Sequence, residues 1–265
     1  MRQDANCPYC GSFATQCLQR KKLILQLRRC QTCSLMFRYP KDDTKENTGF
    51  YQKKYKEQTV TELPRKEDLS HHIATKFANV GRDMTEHLKL IRGIAPQGRL
   101  LDYGCSWGYC VYQSREAGFE SAGFEISQAR VDYGRAMLGL DLFSDIDQLP
   151  DSSFDVIYSA HVLEHIPNPA VSFLQFQRLL KPGGTLFVFV PNCASEPARR
   201  LGVNWGPLIG EKHVLALTAE FFHHNLPAFG FSTEFASSPY SLVPQPYGDE
   251  LILNGEELLV IGKRK

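Results

Sequence analysis

Between residues 70 and 94 the apolar positions Ile73, Phe77, Val80, Met84, Leu88 and Ile91 recur every three to four residues, which predicts one amphipathic helix capped by Ser70. Beyond Pro96 the pattern changes to short apolar runs separated by helix-length segments. Strands are expected at 99–103, 121–125, 154–159, 184–190, 231–236 and 257–262, with helices at 107–117, 127–138 and 170–180. Strand and helix alternation of this kind gives a mostly parallel sheet covered on both faces, an α/β, doubly wound architecture. Ahead of it, residues 41–69 are polar and charged around the aromatic cluster Phe50, Tyr51 and Tyr55, and read as a linker with a short helix. Three segments are therefore expected: 1–40, 41–69 and 70–265.

With 265 residues, 43% hydrophobic and 22% charged, the chain can bury a full core and is neither a disordered tail nor a fibre. No apolar run approaches the roughly 20 residues that a membrane-spanning helix needs. The start Met1, Arg2, Gln3, Asp4 is too polar for a signal peptide, so a cytoplasmic protein is expected. Net charge is +1, which supplies no global field toward nucleic acid or membrane. Its distribution is uneven: residues 1–70 carry 14 Lys and Arg against 8 Asp and Glu, leaving the remainder acidic.

Eight cysteines in a reducing compartment are not read as four disulfides. Cys7 and Cys10 enclose two residues, nineteen follow, and Cys30 and Cys33 enclose two more, the spacing of a zinc ribbon. Two intervening residues let one tight turn aim both sulfurs at the same ion, and Gly11 gives the first knuckle its backbone freedom. After the second knuckle stands Ser34, where Gly is commoner. A single CxxC would also suit redox chemistry; two at this spacing point to structural zinc with no open coordination position. Cys17 matches neither knuckle, and Cys105, Cys110 and Cys193 read as buried small residues.

In a doubly wound sheet, chemistry sits at the carboxyl ends of the central strands. The first such strand runs into Asp102, Tyr103, Gly104, Cys105, Ser106, Trp107, Gly108, where Gly104 allows a sharp turn and Gly108 a close approach to backbone. A dinucleotide fingerprint fails here, because Ser106 and Tyr109 stand where its second and third glycines belong. Asp102 would repel a pyrophosphate but suits a cationic or hydroxyl-rich ligand. Glu125 closes the next strand, where an acid can accept from both hydroxyls of a ribose. Singly, Asp102 also reads as a turn cap and Glu125 as a solvated strand end. Their spacing outlines a ligand with a ribose and no phosphates.

S-adenosylmethionine is such a ligand, and the chain resembles the class I methyltransferases that use it. The resemblance covers 94–265 through LLDYGCSWG at 100–108, GFEIS at 123–127, DIDQLPDSSFDVIYSAHVLEHIPNP at 145–169 and RLLKPGGTLFVFVPN at 178–192. It implies a seven-stranded Rossmann-like sheet. It also implies that the loop Gly104, Cys105 to Gly108 holds the methionine part, Glu125 with Ile126 the ribose, Asp145 with Ile146 the adenine edge, and that His161 lies beside the methyl group. Many relatives have Gly where this chain has Ser106. The segment HVLEH at 161–165 also spells the HxxEH of one class of zinc peptidase, but Pro167 and Pro169 leave barely one helical turn.

His161 and His213 are candidate bases, since an imidazole titrates near working pH. Whether the Gly-, Pro- and Trp-containing insertion 196–210 before His213 forms a lid over the acceptor is left open by the sequence. The ribbon followed by SLMFRYP and FYQKKY resembles the zinc-ribbon methyltransferases that include sugar C-methyltransferases, implying a sugar nucleotide or glycan precursor as acceptor. Those enzymes have a Glu-His pair where this chain has Lys212 and His213, and a further C-terminal domain beyond the equivalent of Lys265. Two alternatives stand: an rRNA or tRNA base methyltransferase gripping RNA through the basic ribbon, and a docking protein that binds cofactor without turnover.

Overall fold

The computed structural model describes residues 5–22, 24–41, 62–78, 80–210, 213–240, 244–248 and 251–265. The expected linker helix with Phe50, Tyr51 and Tyr55 lies outside the described residues. The strands are β1 (Thr15–Lys21), β2 (Leu25–Cys30), β3 (Met36–Tyr39), β4 (Arg99–Tyr103), β5 (Glu120–Phe124), β6 (Asp141–Phe143), β7 (Phe154–Ala160), β8 (Leu180–Pro191), β9 (Leu215–Ala216), β10 (Phe231–Ser237) and β11 (Glu257–Arg264). The helices are α1 (Lys66–Ala74), α2 (Thr85–Ile94), α3 (Tyr109–Glu116), α4 (Gln128–Leu138), α5 (Pro169–Leu179), α6 (Glu196–Leu201) and α7 (Ala219–Asn225).

One sheet has seven strands in the order β10-β11-β8-β7-β4-β5-β6, with β4 parallel to β5 and β7, β5 parallel to β6, and β10 antiparallel to β11. It is the Rossmann-like methyltransferase fold, mostly parallel and flanked by helices. The run Leu186 to Val190 is fully buried, as expected of a strand covered on both faces. A second sheet, β1-β2-β3-β9, is antiparallel throughout. Among the described residues, one compact unit draws on Met1–Asn47, Ala160–Arg178 and Leu186–Lys265, and the other on Thr48–Ser159 and Leu179–Thr185.

In the second of these units the single helix expected over 70–94 is replaced by two. Helix α1 begins at Lys66, so Ser70 lies inside it and its hydroxyl donates to Lys66 O at 2.9 Å instead of capping. The helix stops because Lys76 and Phe77 adopt left-handed backbone (φ 52° and 61°). That turn buries Phe77 completely against Trp107 and Tyr112, with His72 stacked on it. Burying one aromatic ring stabilises by roughly 1.5–3 kcal/mol, enough to outweigh the helical continuity that the apolar spacing suggested. Helix α2 restarts with the Asp83 side chain accepting from the Thr85 amide.

In the unit that contains the N-terminal segment, Phe173, Phe176, Phe221 and Phe222 form a fully buried aromatic core. Tyr9, from the first cysteine knuckle, sets its ring edge-on to Phe221 at 5.3 Å. Pairing of Met36 with Ala216 and Phe37 with Leu215 joins β3 to β9. The insertion 196–210 is packed into this unit. Ala198, Val203, Trp205, Leu208 and Ile209 pack with Leu27, Cys193 and Ala216, because five apolar side chains in fifteen residues are driven out of water.

Candidate active site

In the unit built on 48–159, β4 and β5 run side by side in parallel with Asp102 opposite Gly123. Beyond β5, the Glu125 carboxylate accepts the Ser106 amide on Oε2 at 3.1 Å and the Ser127 amide on Oε1 at 2.9 Å. A carboxylate has about four acceptor positions, so both oxygens keep capacity for a ligand's hydroxyls. Burial pushes the Glu125 carboxyl above its ordinary value, against the pull of these amides and of Arg130. Asp102 is buried, and desolvation, helped by the charge of Glu125, pushes it up to about 8. Asp102 thus keeps its proton near neutral pH in the empty site, and a bound cation would draw it toward the ionised form.

The connecting loop is held by backbone. The Gly104 and Cys105 amides both donate to Phe124 O, at 2.7 and 2.9 Å. Gly108 has φ 89° and starts α3, and a Cβ there would lie 2.5 Å from Leu140 Cδ1. Ser106, where relatives carry Gly, does adopt the left-handed region (φ 54°). Its amide on Glu125 and its hydroxyl, which accepts from Arg130 at 2.6 Å, hold the conformation that a glycine would enter freely. Asp145 is exposed and its Oδ1 caps the turn at Ile146–Gln148 by accepting the Asp147 amide, while Ile146 and Ile126 are half-buried and Cys105 is buried.

In the other unit the four knuckle sulfurs converge. Cys7 Sγ lies 3.6 Å from Cys33 Sγ, and Cys10 Sγ 3.6 Å from Cys30 Sγ, with all four within 4.8 Å of one another. A tetrahedral zinc with bonds of about 2.3 Å separates its sulfurs by about 3.8 Å, so the donor set fits such an ion. Gly11 (φ 74°) and Ser34 (φ 62°) follow the two knuckles in the same left-handed conformation. Ser34 is steadied by donating to Glu220 Oε1 at 2.9 Å, the same oxygen that pairs with Arg29 at 2.6 Å.

His161 ends β7 with φ 53°, its Nε2 2.6 Å from Glu257 Oε1 and its Nδ1 3.4 Å from Glu164 Oε1. Burial works against a charged imidazole, yet Glu164 and Glu257 retain its proton and raise it to about 10. His161 is therefore a standing imidazolium at neutral pH. Residues Leu163–His165 form one turn of 3₁₀ helix, so the sustained helix of an HxxEH metallopeptidase is not formed. His213 lies beside His165, ring centroids 4.8 Å apart, with its Nδ1 2.7 Å from Pro207 O.

Residues 71–234 match the profile of a family described as a methyltransferase domain, more than half of the chain. The chain belongs to this family. Among similar proteins, a ubiquinone biosynthesis O-methyltransferase of Hahella chejuensis is 27% identical over 143 residues, 48% of this chain and 60% of that one. A sterol 4-C-methyltransferase of Caenorhabditis elegans is 28% identical over 136 residues, 45% of this chain and 40% of that one. The chain thus spans about half the length of these relatives. In fold it is similar to a methyltransferase structure from Thermotoga maritima, with TM-score 0.53 and 20% identity over 75% of this chain and 95% of that one.

The methyltransferase also has a cavity of about 290 Å³ within the unit that contains the ribbon, lined by Arg29, Ser34, Asn192, Thr218, Glu220 and Tyr247 among others. Sequence reasoning missed it, because its walls come from segments over 200 residues apart. Glu257 and Tyr240, which bond to each other at 2.6 Å beside His161, were missed for the same reason. Arg130 is a buried cation at the third residue of α4, where burial requires a partner.

Proposed function

We propose that this methyltransferase takes its methyl group from S-adenosylmethionine and passes it to a small, hydroxyl-rich acceptor of the carbohydrate class. One observation carries the donor assignment: a buried carboxylate, Asp102, and a half-buried one, Glu125, close adjacent parallel strands around a glycine turn that lacks a dinucleotide pattern. The residues fit the donor. Glu125, with Ile126, has lone pairs left for ribose hydroxyls; Gly104, Cys105 and Gly108 present main chain to the methionine part; Asp145 and Ile146 flank the adenine; Asp102 offers charge to a cation. When bound, S-adenosylmethionine supplies a methyl carbon made electrophilic by its positive sulfur.

The chain's own task is to align the acceptor and exclude water, which lowers the barrier of such displacements most. His161, expected beside the methyl group, is a positioning imidazolium in this reading, and His213 is the residue that contacts the acceptor through Nε2. The relatives named above are described as a ubiquinone biosynthesis O-methyltransferase and a sterol 4-C-methyltransferase. The carbohydrate reading is supported instead by the ribbon's resemblance and by the polar groups of the 290 Å³ cavity, where two arginines, an amide, hydroxyls and a carboxylate stand beside Met36, Leu251 and Leu253 and can bond a hydroxylated molecule.

We assign residues 1–40 to a ribbon closed by structural zinc on Cys7, Cys10, Cys30 and Cys33, 41–69 to a linker, and 70–265 to the methyltransferase domain, acting in the cytoplasm. Incubating the zinc-loaded protein with methyl-labelled S-adenosylmethionine and a panel of nucleotide sugars, quinol-type phenols, sterols and RNA tests the reading. Label in nucleotide sugars is expected. Label confined to the phenols, sterols or RNA overturns the acceptor class while leaving the donor intact.

A further inference from the structure

Within the unit that contains the ribbon, Glu164 is buried to 2% side-chain exposure, and neither carboxylate oxygen has a hydrogen-bond partner. Buried carboxylates normally have one, and the His161 imidazolium gives Glu164 charge compensation without filling its acceptor positions. His161 Nδ1, 3.4 Å away, is outside hydrogen-bonding geometry, and that imidazole spends its short contact on Glu257. Two other imidazoles face the same carboxylate. His165 Nε2 lies 3.9 Å from Oε1, and one donor atom each from Glu164, His165 and His213 falls within 4.8 Å of the others.

The tautomer of His213 completes the arrangement. Pro207 O can only accept, so the 2.7 Å contact puts the hydrogen on Nδ1 and leaves the lone pair on Nε2. A ligating histidine is typically oriented in this way, its other nitrogen tied to a carbonyl. The Val214 amide donates to Glu164 O at 2.9 Å, so backbone pairing fixes the two segments that carry the three side chains.

We infer that Glu164, His165 and His213 form a second metal site, separate from the ribbon, for a divalent first-row transition ion. Two imidazoles with one carboxylate suit manganese, iron, cobalt or zinc rather than magnesium or calcium. Three protein ligands leave coordination positions open to water or to an oxygen of the acceptor. In that form His213 Nε2 meets the acceptor through the ion, which refines the contact assigned to it above.

Manganese separates the two sites, because thiolates discriminate against it while nitrogen and oxygen donors accept it. The test is titration of MnCl₂ into the full chain loaded with a single zinc per chain, the amount the four thiolates take, with bound ion followed by loss of the free-ion paramagnetic resonance signal. Neither donor nor acceptor is present, so failure here leaves the methyl-transfer reading untouched. About one manganese per chain is expected, with affinity lowered at least about tenfold in both Glu164→Gln and His213→Gln. Unchanged thermal unfolding and zinc content in His213→Gln, the less buried position, separate ligand loss from misfolding. No uptake by the unaltered protein, or equal uptake by His213→Gln, overturns the site.

Discussion

The main-chain amide of Ser106 donates to Glu125 Oε2 at 3.1 Å, tying the loop after β4 to the acid that closes β5. One carboxylate thereby shapes the turn and, in the proposed reading, also serves the ribose. Glu125→Ala removes both roles and leaves the Ser106 and Ser127 amides unpaired. The affinity for S-adenosylmethionine is expected to fall by about 1–3 kcal/mol, the scale of a lost charge-assisted hydrogen bond with its unsatisfied partner. Calorimetric titration measures it, and an unchanged dissociation constant contradicts the ribose assignment.

Asp102 gives the protein a pH dependence of defined sign. Its folded pKa of about 8 lies above the ordinary value of 3.8, so between those values the folded chain keeps a proton that the unfolded chain has released. Its contribution to stability is therefore present below pH 4 and lost as pH rises toward 8. A cationic ligand favours the ionised form, so donor affinity rises with pH up to about 8, by at most about tenfold per unit for one released proton. Asp102→Asn is expected to flatten that rise and to be more stable than the parent at pH 7 without ligand. A parallel pH profile in the variant contradicts the assignment.

Cys30 contributes one of four converging sulfurs and is buried. Cys30→Ser is expected to lower zinc content and to loosen the segment to residue 40, seen as faster amide exchange in β1 to β3. Cofactor affinity is largely spared, since the donor residues lie elsewhere in the chain. A full zinc complement by elemental analysis counts against the thiolate centre.

Phe77 tests the break between α1 and α2. Because the ring is fully buried on Trp107 and Tyr112, Phe77→Ala is expected to cost about 3–5 kcal/mol in denaturant unfolding. A loss below about 1 kcal/mol would mean that the ring does not anchor the turn.

Much of the sheet was legible because its central strands are continuous apolar runs with glycine turns after them, as at Leu100 and Leu101 before Gly104. Strand β6 was not, since three residues carry no period and it forms by pairing with β5. The helix over 70–94 was overread because Phe77 keeps helical spacing while its ring is claimed by Trp107, a tertiary contact that no local pattern records. The four cysteines and the Asp102 and Glu125 pair were legible through spacing along short stretches. Glu257 beside His161 and His213 beside Glu164 were not, because those neighbours are set by the fold and lie 96 and 49 residues apart in sequence.

The account rests most directly on what the ends of β4 and β5 bind. Titrating S-adenosylmethionine into the zinc-loaded full chain in a calorimeter, with NAD⁺ in a matched run, measures it. The account predicts saturation at one S-adenosylmethionine per chain and no heat from NAD⁺. Saturation by NAD⁺ with no heat from S-adenosylmethionine would contradict it.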